Sequence, residues 1–155
     1  MAGSYDGRRP CPSASARVVD EAARIAGAPR LPPADAPDAD FRRWLSAAGP
    51  RRLPTLARLE LVEARAEVAG GGTDPMQVVA SWRKARAVRA DGPPLSVSDL
   101  ALDGRDLIRL GLKPGPEFGR ILDHLLDWVL DDPTRNEAGV LAARATEGAK
   151  GDGDE

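Results

Sequence analysis

Apolar residues recur at three- and four-residue spacing along most of the chain, the pattern of helices that bury one face. The clearest stripe lies between Pro116 and Asp132, where one side carries Phe118, Ile121, Leu122, Leu125, Leu126 and Val129. No segment shows the alternation of apolar and polar residues that a half-buried strand requires. The pattern therefore predicts an all-α fold, a bundle or array of about six to seven helices with a C-terminal αα-hairpin.

Glycine, proline and capping residues divide the first half of the chain into predicted helices. A short helix is expected over 16–26, and 29–37 is too rich in proline to pack, so it is interpreted as a linker. Asp38 or Asp40 would cap a helix that buries Phe41, Trp44 and Leu45 and ends at Gly49. A longer helix runs from Pro54 at N1 to residue 68, with inward candidates Leu56, Leu59, Val62 and Ala66. Asp74-Pro75 opens the next, whose apolar stripe comprises Met76, Val79, Trp82, Ala85 and Val88 or Ala87.

The second half begins after the break at residues 91–94. Ser96 with Asp99, and Thr134 with Glu137, form capping-box patterns that predict two helix starts. Between them, a helix from Asp103-Gly104 would bury Leu107, Ile108 and Leu110 and stop at Gly111, and Pro116 would occupy N1 of the following helix.

These breaks suggest four regions. Residues 1–37 would be a disordered leader containing a short helix and the proline-rich linker, and 38–90 a helical body. Residues 91–145 would be a helical tail, followed by a disordered acidic tail over 146–155.

Cysteine and histidine usage excludes several kinds of site. Cys11 and His124 are the only residues of their types, which leaves no disulfide framework, no thiolate metal site and no site built from two histidines. His124 is interpreted as a surface or half-buried helix residue. No apolar run approaches the length of a membrane span, so we expect a soluble, cytoplasmic protein with no membrane partner.

Charge is unevenly distributed. Residues 40–90 contain ten basic and five acidic residues, whereas 91–155 contain seven and fourteen. Clustered arginine is the electrostatic footprint of a phosphate-binding face, although 19 of the 22 basic residues are arginine, a bias that GC-rich coding also produces. The candidate phosphate contacts are Arg42, Arg43, Arg51, Arg52, Arg58, Arg83, Lys84, Arg86 and Arg89, with Lys113 at a helix start. Trp44, Trp82 and Trp128 are assigned to the core in preference to base stacking.

A set of spaced residues in the second half resembles the C-terminal region of CCA-adding tRNA nucleotidyltransferases of the poly(A) polymerase superfamily. These residues are Leu95, Ala101, Gly104, Asp106, Leu107, Leu110, Gly111, Gly115, Pro116, Gly119, Leu122, Asn136, Glu137 and Leu141. Upstream, 41–45, Gly49 and 53–66 are similar to the start of that family's RNA-binding body, so the resemblance spans roughly residues 38–143. One departure is at 61–64, Leu-Val-Glu-Ala, where bacterial members commonly carry an Ala-Asp pair.

The resemblance implies a helical body and tail that grip tRNA or another RNA 3′ end, while a separate head adds nucleotides using Mg²⁺ and nucleoside triphosphates. That head is absent from these residues, so the chain would be a truncated or split form without catalytic or metal-binding residues, and a catalytic head acting in trans is one partner that the resemblance implies. Asp38-Ala39-Asp40 has the letters of a metal-binding carboxylate pair but follows a proline-rich segment, and Gly70-Gly71-Gly72 follows a helix. The carboxylate pair is interpreted as a helix cap, and the three glycines are interpreted as a flexible linker. The choice between CCA, A and poly(A) addition stays open. The alternative is a free-standing helical protein-interaction module without RNA binding.

Overall fold

The computed structural model describes residues 27, 29–67 and 74–151. Within them lie six α-helices and two short 3₁₀ helices, Val97–Asp99 and Pro133–Arg135, and no strand, which confirms the all-α prediction. The α-helices are α1 Asp38–Ala48, α2 Leu53–Glu67, α3 Pro75–Ala90, α4 Gly104–Arg109, α5 Glu117–Asp131 and α6 Ala138–Gly151. None of these helices is long and apolar enough to cross a membrane.

The first core lies between α1, α2 and α3. It consists of Phe41, Trp44, Leu45, Ala48, Leu53, Leu56, Ala85 and Val88. The burial of Phe41, Trp44 and Leu45 confirms the inward face predicted for α1. Both α1 and α2 pack against α3, so the basic helix α3 is held on the other two.

The second core lies between α4, α5 and α6. It consists of Leu102, Leu107, Leu125, Val129, Leu141 and Ala145. Helix α1 also packs against α5, and this contact joins the two halves of the described chain. The apolar stripe predicted for α5 supplies Leu125 and Val129 as fully buried residues, and Phe118, Ile121 and Leu122 pack around them.

The proline-rich segment 29–37 packs against the first core, so the expectation that it is too rigid and polar to pack is wrong. The Trp44 indole N–H donates to the carbonyl of Pro29 at 2.7 Å, and the Leu31 amide donates to Glu60 Oε1 at 2.7 Å. Leu31 itself packs on the core. Proline favours extended backbone, and such backbone can still place one apolar side chain and several carbonyls against a helix pair. The helix predicted over 16–26 lies outside the described residues.

Several helix ends form as the capping residues predict. Asp74 accepts from the Met76 amide at 2.9 Å, and Ser96 and Asp99 form a capping box. Gly111 has a φ of +86° after α4, a conformation that side chains with a Cβ rarely adopt. The sequence also contains a box that was not predicted, in which Asp103 and Asp106 cap α4. The pKa of the Asp103 carboxyl is lowered by the hydrogen bonds that it accepts from backbone amides, of which the one from Asp106 is the largest cause.

Other predicted helix ends are corrected by the structure. Pro37 occupies the N-cap of α1, so Asp38 and Asp40 lie within its first turn and cap nothing. The Thr134–Glu137 box does not form, because Asp132 instead accepts from the Thr134 amide at 3.1 Å. Pro116 is the N-cap of α5, not its N1 residue. Helix α6 continues to Gly151, so residues 146–151 are helical and not part of a disordered tail.

Five residues predicted to face inward are exposed. They are Leu59, Val62, Met76, Ile108 and Leu110. Helix α2 lies at the edge of the array with α3 as its main neighbour, so it buries a narrower face than a central helix would. Helix α4 has only six residues, and one turn and a half can bury only Leu107 fully. Ala66 lies in a part of α2 for which side chains are not described.

Candidate nucleic-acid interface

Helix α3 carries the strongest concentration of exposed positive charge in the first half. Its sixteen residues contain Arg83, Lys84, Arg86 and Arg89 and no aspartate or glutamate. Arg83, Arg86 and Arg89 are three residues apart, so neighbouring guanidinium groups extend from adjacent turns along one side of the helix. All three side chains are exposed. We call these three residues the basic face.

The three arginines of the basic face differ in the contacts that they make with the described residues. Among the described residues, Arg83 and Arg89 form no hydrogen bond, ion pair or ring contact. Arg86 lies over the ring of Trp82, with its Cζ atom 5.3 Å from the ring centroid. An anion that meets the basic face would therefore not have to displace a carboxylate from Arg83 or Arg89, a condition that favours phosphate binding.

Lys84 points to the opposite side of α3 and has a structural role. Its ammonium group donates to the carbonyl of Ala36 and lies 3.4 Å from Asp38 Oδ1. It also lies 5.2 Å from the centroid of the Phe41 ring. Lys84 thus fastens the proline-rich segment to the first core.

Arg42 and Arg43 connect α1 to the end of α5. Arg42 donates through Nε to the Leu130 carbonyl and through Nη2 to the Asp131 carbonyl, both at 2.6 Å. Arg43 bonds Asp127 at 3.2 Å and also pairs with Asp131. The hydrogen bond to Asp127, the largest cause, raises the pKa of the Arg43 guanidinium above its usual value. Since the last carbonyls of a helix have no intrahelical donor, Arg42 acts as a C-terminal cap for α5.

The remaining predicted cations differ in their surroundings. Arg51 and Arg58 are exposed and have no polar partner among the described residues, whereas Arg52 donates to the Ala48 carbonyl at 3.2 Å. Arg65 is exposed near the end of α2 and was missing from the sequence candidates. A seven-residue spacing from Arg58, which returns to the same helix face, is the signal that could have found it. Lys113 is exposed in the second half, in the turn before α5.

The glycine-rich motif of the second half builds the connection between α4 and α5. Gly111 makes the left-handed turn, and the Gly115 carbonyl accepts from the Phe118 amide at 3.1 Å. A Cβ at Gly104 would lie 3.7 Å from the Phe118 ring, whereas one at Gly119 would meet nothing within 4 Å. Asp106 completes the capping box of α4, and Pro116 stands at the N-cap position of α5 without a side-chain capping hydrogen bond. These residues thus shape the connection between the two helices.

The tryptophans have little free ring surface for stacking. Trp44 is buried, in agreement with its assignment to the core, while Trp82 and Trp128 are half-buried. The Trp128 ring lies 4.8 Å from the Cζ atom of Arg135 and 5.5 Å from that of Arg144. The interface is therefore a set of cations without an open aromatic platform, an arrangement that suits contact with a phosphate backbone.

His124 is exposed on α5, and no group of three or more histidine, cysteine or acidic side chains in the described part of the chain could hold a metal ion.

Comparison with known proteins relates about half of the chain to CCA-adding enzymes. A segment of 78 residues, 50% of the chain, is 36% identical to the CCA-adding enzyme of Limosilactobacillus fermentum. A segment of 88 residues, 56% of the chain, is 33% identical to that of Levilactobacillus brevis. The matches span 18% and 20% of those enzymes, so the chain covers about a fifth of the relatives it matches. No protein-family model and no solved structure matches the chain.

Proposed function

We propose that this chain binds the 3′-terminal region of tRNA through the basic face of α3. In this proposal it serves as the C-terminal RNA-binding part of a CCA-adding enzyme, or of a related nucleotidyltransferase of the poly(A) polymerase superfamily, in the cytoplasm. Similarity to CCA-adding enzymes over half of the chain supports tRNA as the substrate. The single observation that carries the proposal is a sixteen-residue helix without a carboxylate, on which Arg83, Arg86 and Arg89 are exposed.

The geometry favours phosphate over other anionic partners. Guanidinium groups match pairs of phosphate oxygens, and successive arginines on one helix can follow successive phosphates along a strand. Arg83 and Arg89 can bind without breaking an ion pair, while Arg42, Arg43 and Lys84 would lose contacts within the chain. We therefore narrow the candidate contacts to Arg83, Arg86 and Arg89, with Arg51 and Arg58 as additional exposed cations.

Nucleotide addition would be supplied by a head domain that binds Mg²⁺ and nucleoside triphosphates. The role of the described helices would be to hold the RNA so that its 3′ end reaches that head. We expect these 155 residues to bind RNA without incorporating nucleotides, because phosphoryl transfer needs carboxylate-held metal ions. Incorporation by the purified chain would overturn this part of the proposal.

The test is fluorescence anisotropy of a labelled tRNA acceptor minihelix titrated with the chain across a range of salt concentrations. Binding should weaken with salt, and Arg83→Ala/Arg89→Ala should reduce the slope of log affinity against log salt by about two. The matched control is Arg105→Ala/Arg109→Ala, which removes the same charge from exposed positions on α4. Equal losses in the two double variants would show that only overall charge matters and would contradict a defined face.

The exposed apolar residues favour one alternative, a protein-interaction module without RNA binding. Val62 is 63% exposed and Met76 is 66% exposed. A partner that covered these two side chains would remove their apolar surface from water. An absence of minihelix binding at low salt would support this alternative over the proposed function.

A further inference from the structure

A groove in the second half of the chain is separate from the basic face of α3. It lies between the turn before α5, the first half of α5 and the second half of α6, and it has a volume of about 590 Å³. Its apolar lining consists of Leu112, Phe118, Ile121, Leu125 and Ala145. Clefts of this size with an apolar lining and a few polar groups are typical of ligand and peptide sites.

The rim of the groove is richer in cations than its surroundings. Lys113, Arg120 and Arg144 line it together with His124, whereas residues 91–155 as a whole contain fourteen acidic and seven basic residues. Three of those seven basic residues thus meet at one cleft.

Among the described residues, two carboxylates line the groove, and both are already paired. Glu117 lies 3.1 Å from Arg120, and Glu147 lies 3.6 Å from Arg144. Lys113 is exposed and forms no hydrogen bond or ion pair within the part of the chain that the structure describes. Counted over the described residues that line it, the groove has three cations and two carboxylates and so a net positive charge.

Two other carboxylates of α5 lie farther along the helix than the groove. Asp127 and Asp131 contact Arg43 of α1 and are not among the residues that line the groove. Their negative charge is partly neutralised by that arginine. A negatively charged ligand at Lys113 would thus meet an apolar floor and a cationic rim, while Asp127 and Asp131 are engaged with Arg43.

We propose that this groove binds an acidic amphipathic segment of a partner protein. Apolar side chains of the segment would cover Phe118 and Ile121, and its carboxylates would meet Lys113, Arg120 and Arg144. Charge complementarity selects an acidic partner over a basic one. The apolar floor favours a protein segment over RNA, because phosphates would gain little from an apolar surface.

The test uses two fluorescein-labelled peptides of about 14 residues, the length of a four-turn helix. Both carry leucine at helical spacing on one face, and the remaining positions are glutamate and alanine in one peptide, lysine and alanine in the other. We expect the glutamate peptide to bind at least about fivefold more tightly in anisotropy, the factor that about 1 kcal/mol of charge interaction supplies. It should shift the amide NMR signals of residues 112–125 and 144–148.

Matched variants separate the groove from general electrostatics. Lys113→Glu should weaken binding of the glutamate peptide by about fivefold, while Arg105→Glu, an equal charge change at an exposed position of α4 outside the groove, should alter it by less than about twofold. Circular dichroism would verify that both variants keep their helices.

Three outcomes would overturn the proposal. They are equal binding of the two peptides, no binding up to about 1 mM, and shifts confined to other surfaces. Displacement of the peptide by the tRNA minihelix, together with weaker minihelix binding in Lys113→Glu, would assign the groove to RNA instead.

Discussion

Replacing Arg42 tests whether the two helical halves are joined by the cap that this residue provides. In Arg42→Ala the carbonyls of Leu130 and Asp131 lose the two guanidinium donors that lie 2.6 Å away. The end of α5 would then depend on water, and α1 would lose one of its direct connections to α5. We expect a lower free energy of unfolding and a loosened contact between the halves.

The expected cost follows from the two hydrogen bonds. A hydrogen bond to a charged group contributes about 1.5–3 kcal/mol, and one of the two bonds here is exposed to solvent. Discounting the exposed bond gives about 2 kcal/mol for Arg42→Ala, equivalent to a decrease in Tm of about 8 °C for a domain of this size. Arg42→Lys should recover part of the loss, because an ammonium is a single point charge that cannot span both carbonyls as a fork does.

Arg43→Ala is the matched control, and urea unfolding followed by circular dichroism is the assay. Arg43 pairs with carboxylates whose side chains are 69% and 45% exposed. Exposed ion pairs contribute about 0–1 kcal/mol, so Arg43→Ala should cost less than Arg42→Ala and should depend more on salt. A loss in Arg43→Ala equal to or greater than that in Arg42→Ala would refute the capping role. Reduced RNA binding by an Arg42 variant would therefore be attributed to a phosphate contact only after its stability is known.

Three further substitutions test the core, one buried carboxyl and the turn before α5. Leu107→Ala removes a fully buried side chain of the second core and should cost about 3 kcal/mol in urea unfolding. Burial raises the pKa of the Glu60 carboxyl, although the hydrogen bond from the Leu31 amide acts in the other direction. The ionised form of Glu60 therefore destabilises the fold at neutral pH, and Glu60→Gln should stabilise the chain at pH 7. That gain should fade as the pH falls through the raised pKa of Glu60 and should be lost below the ordinary glutamate value of 4.5, and a gain that grows on acidification would contradict the assignment. Gly111→Ala should lower Tm, because Gly111 has a positive φ that alanine rarely adopts. Gly119→Ala should raise Tm, because Gly119 lies inside α5 with open space at the position of a Cβ. Changes in Tm of the opposite sign in differential scanning calorimetry would contradict both expectations.

The helices themselves could be predicted from sequence because the information that defines them is local. Apolar spacing placed α1, α3 and α5, and capping groups such as Asp74 bond to amides only two or three residues away. Which apolar residues are buried depends on neighbouring helices, and that is why Leu59 and Val62 were assigned wrongly to the core. The packing of 29–37 was missed for the same reason, since its partners Trp44 and Glu60 are distant in the sequence.

The sequence by itself determined that the chain is helical and that its first half is the more basic. It could not determine which arginines are free to bind a ligand, because that depends on partners far along the chain. Arg42 donates to the carbonyls of Leu130 and Asp131, which lie 88 and 89 positions farther along the chain. Arg83 and Arg89, in contrast, lie on a helix whose sixteen residues contain no carboxylate. Only the tertiary structure decided this difference, because the contact of α1 with α5 supplies partners to Arg42 and Arg43, whereas Arg83 and Arg89 of α3 are exposed.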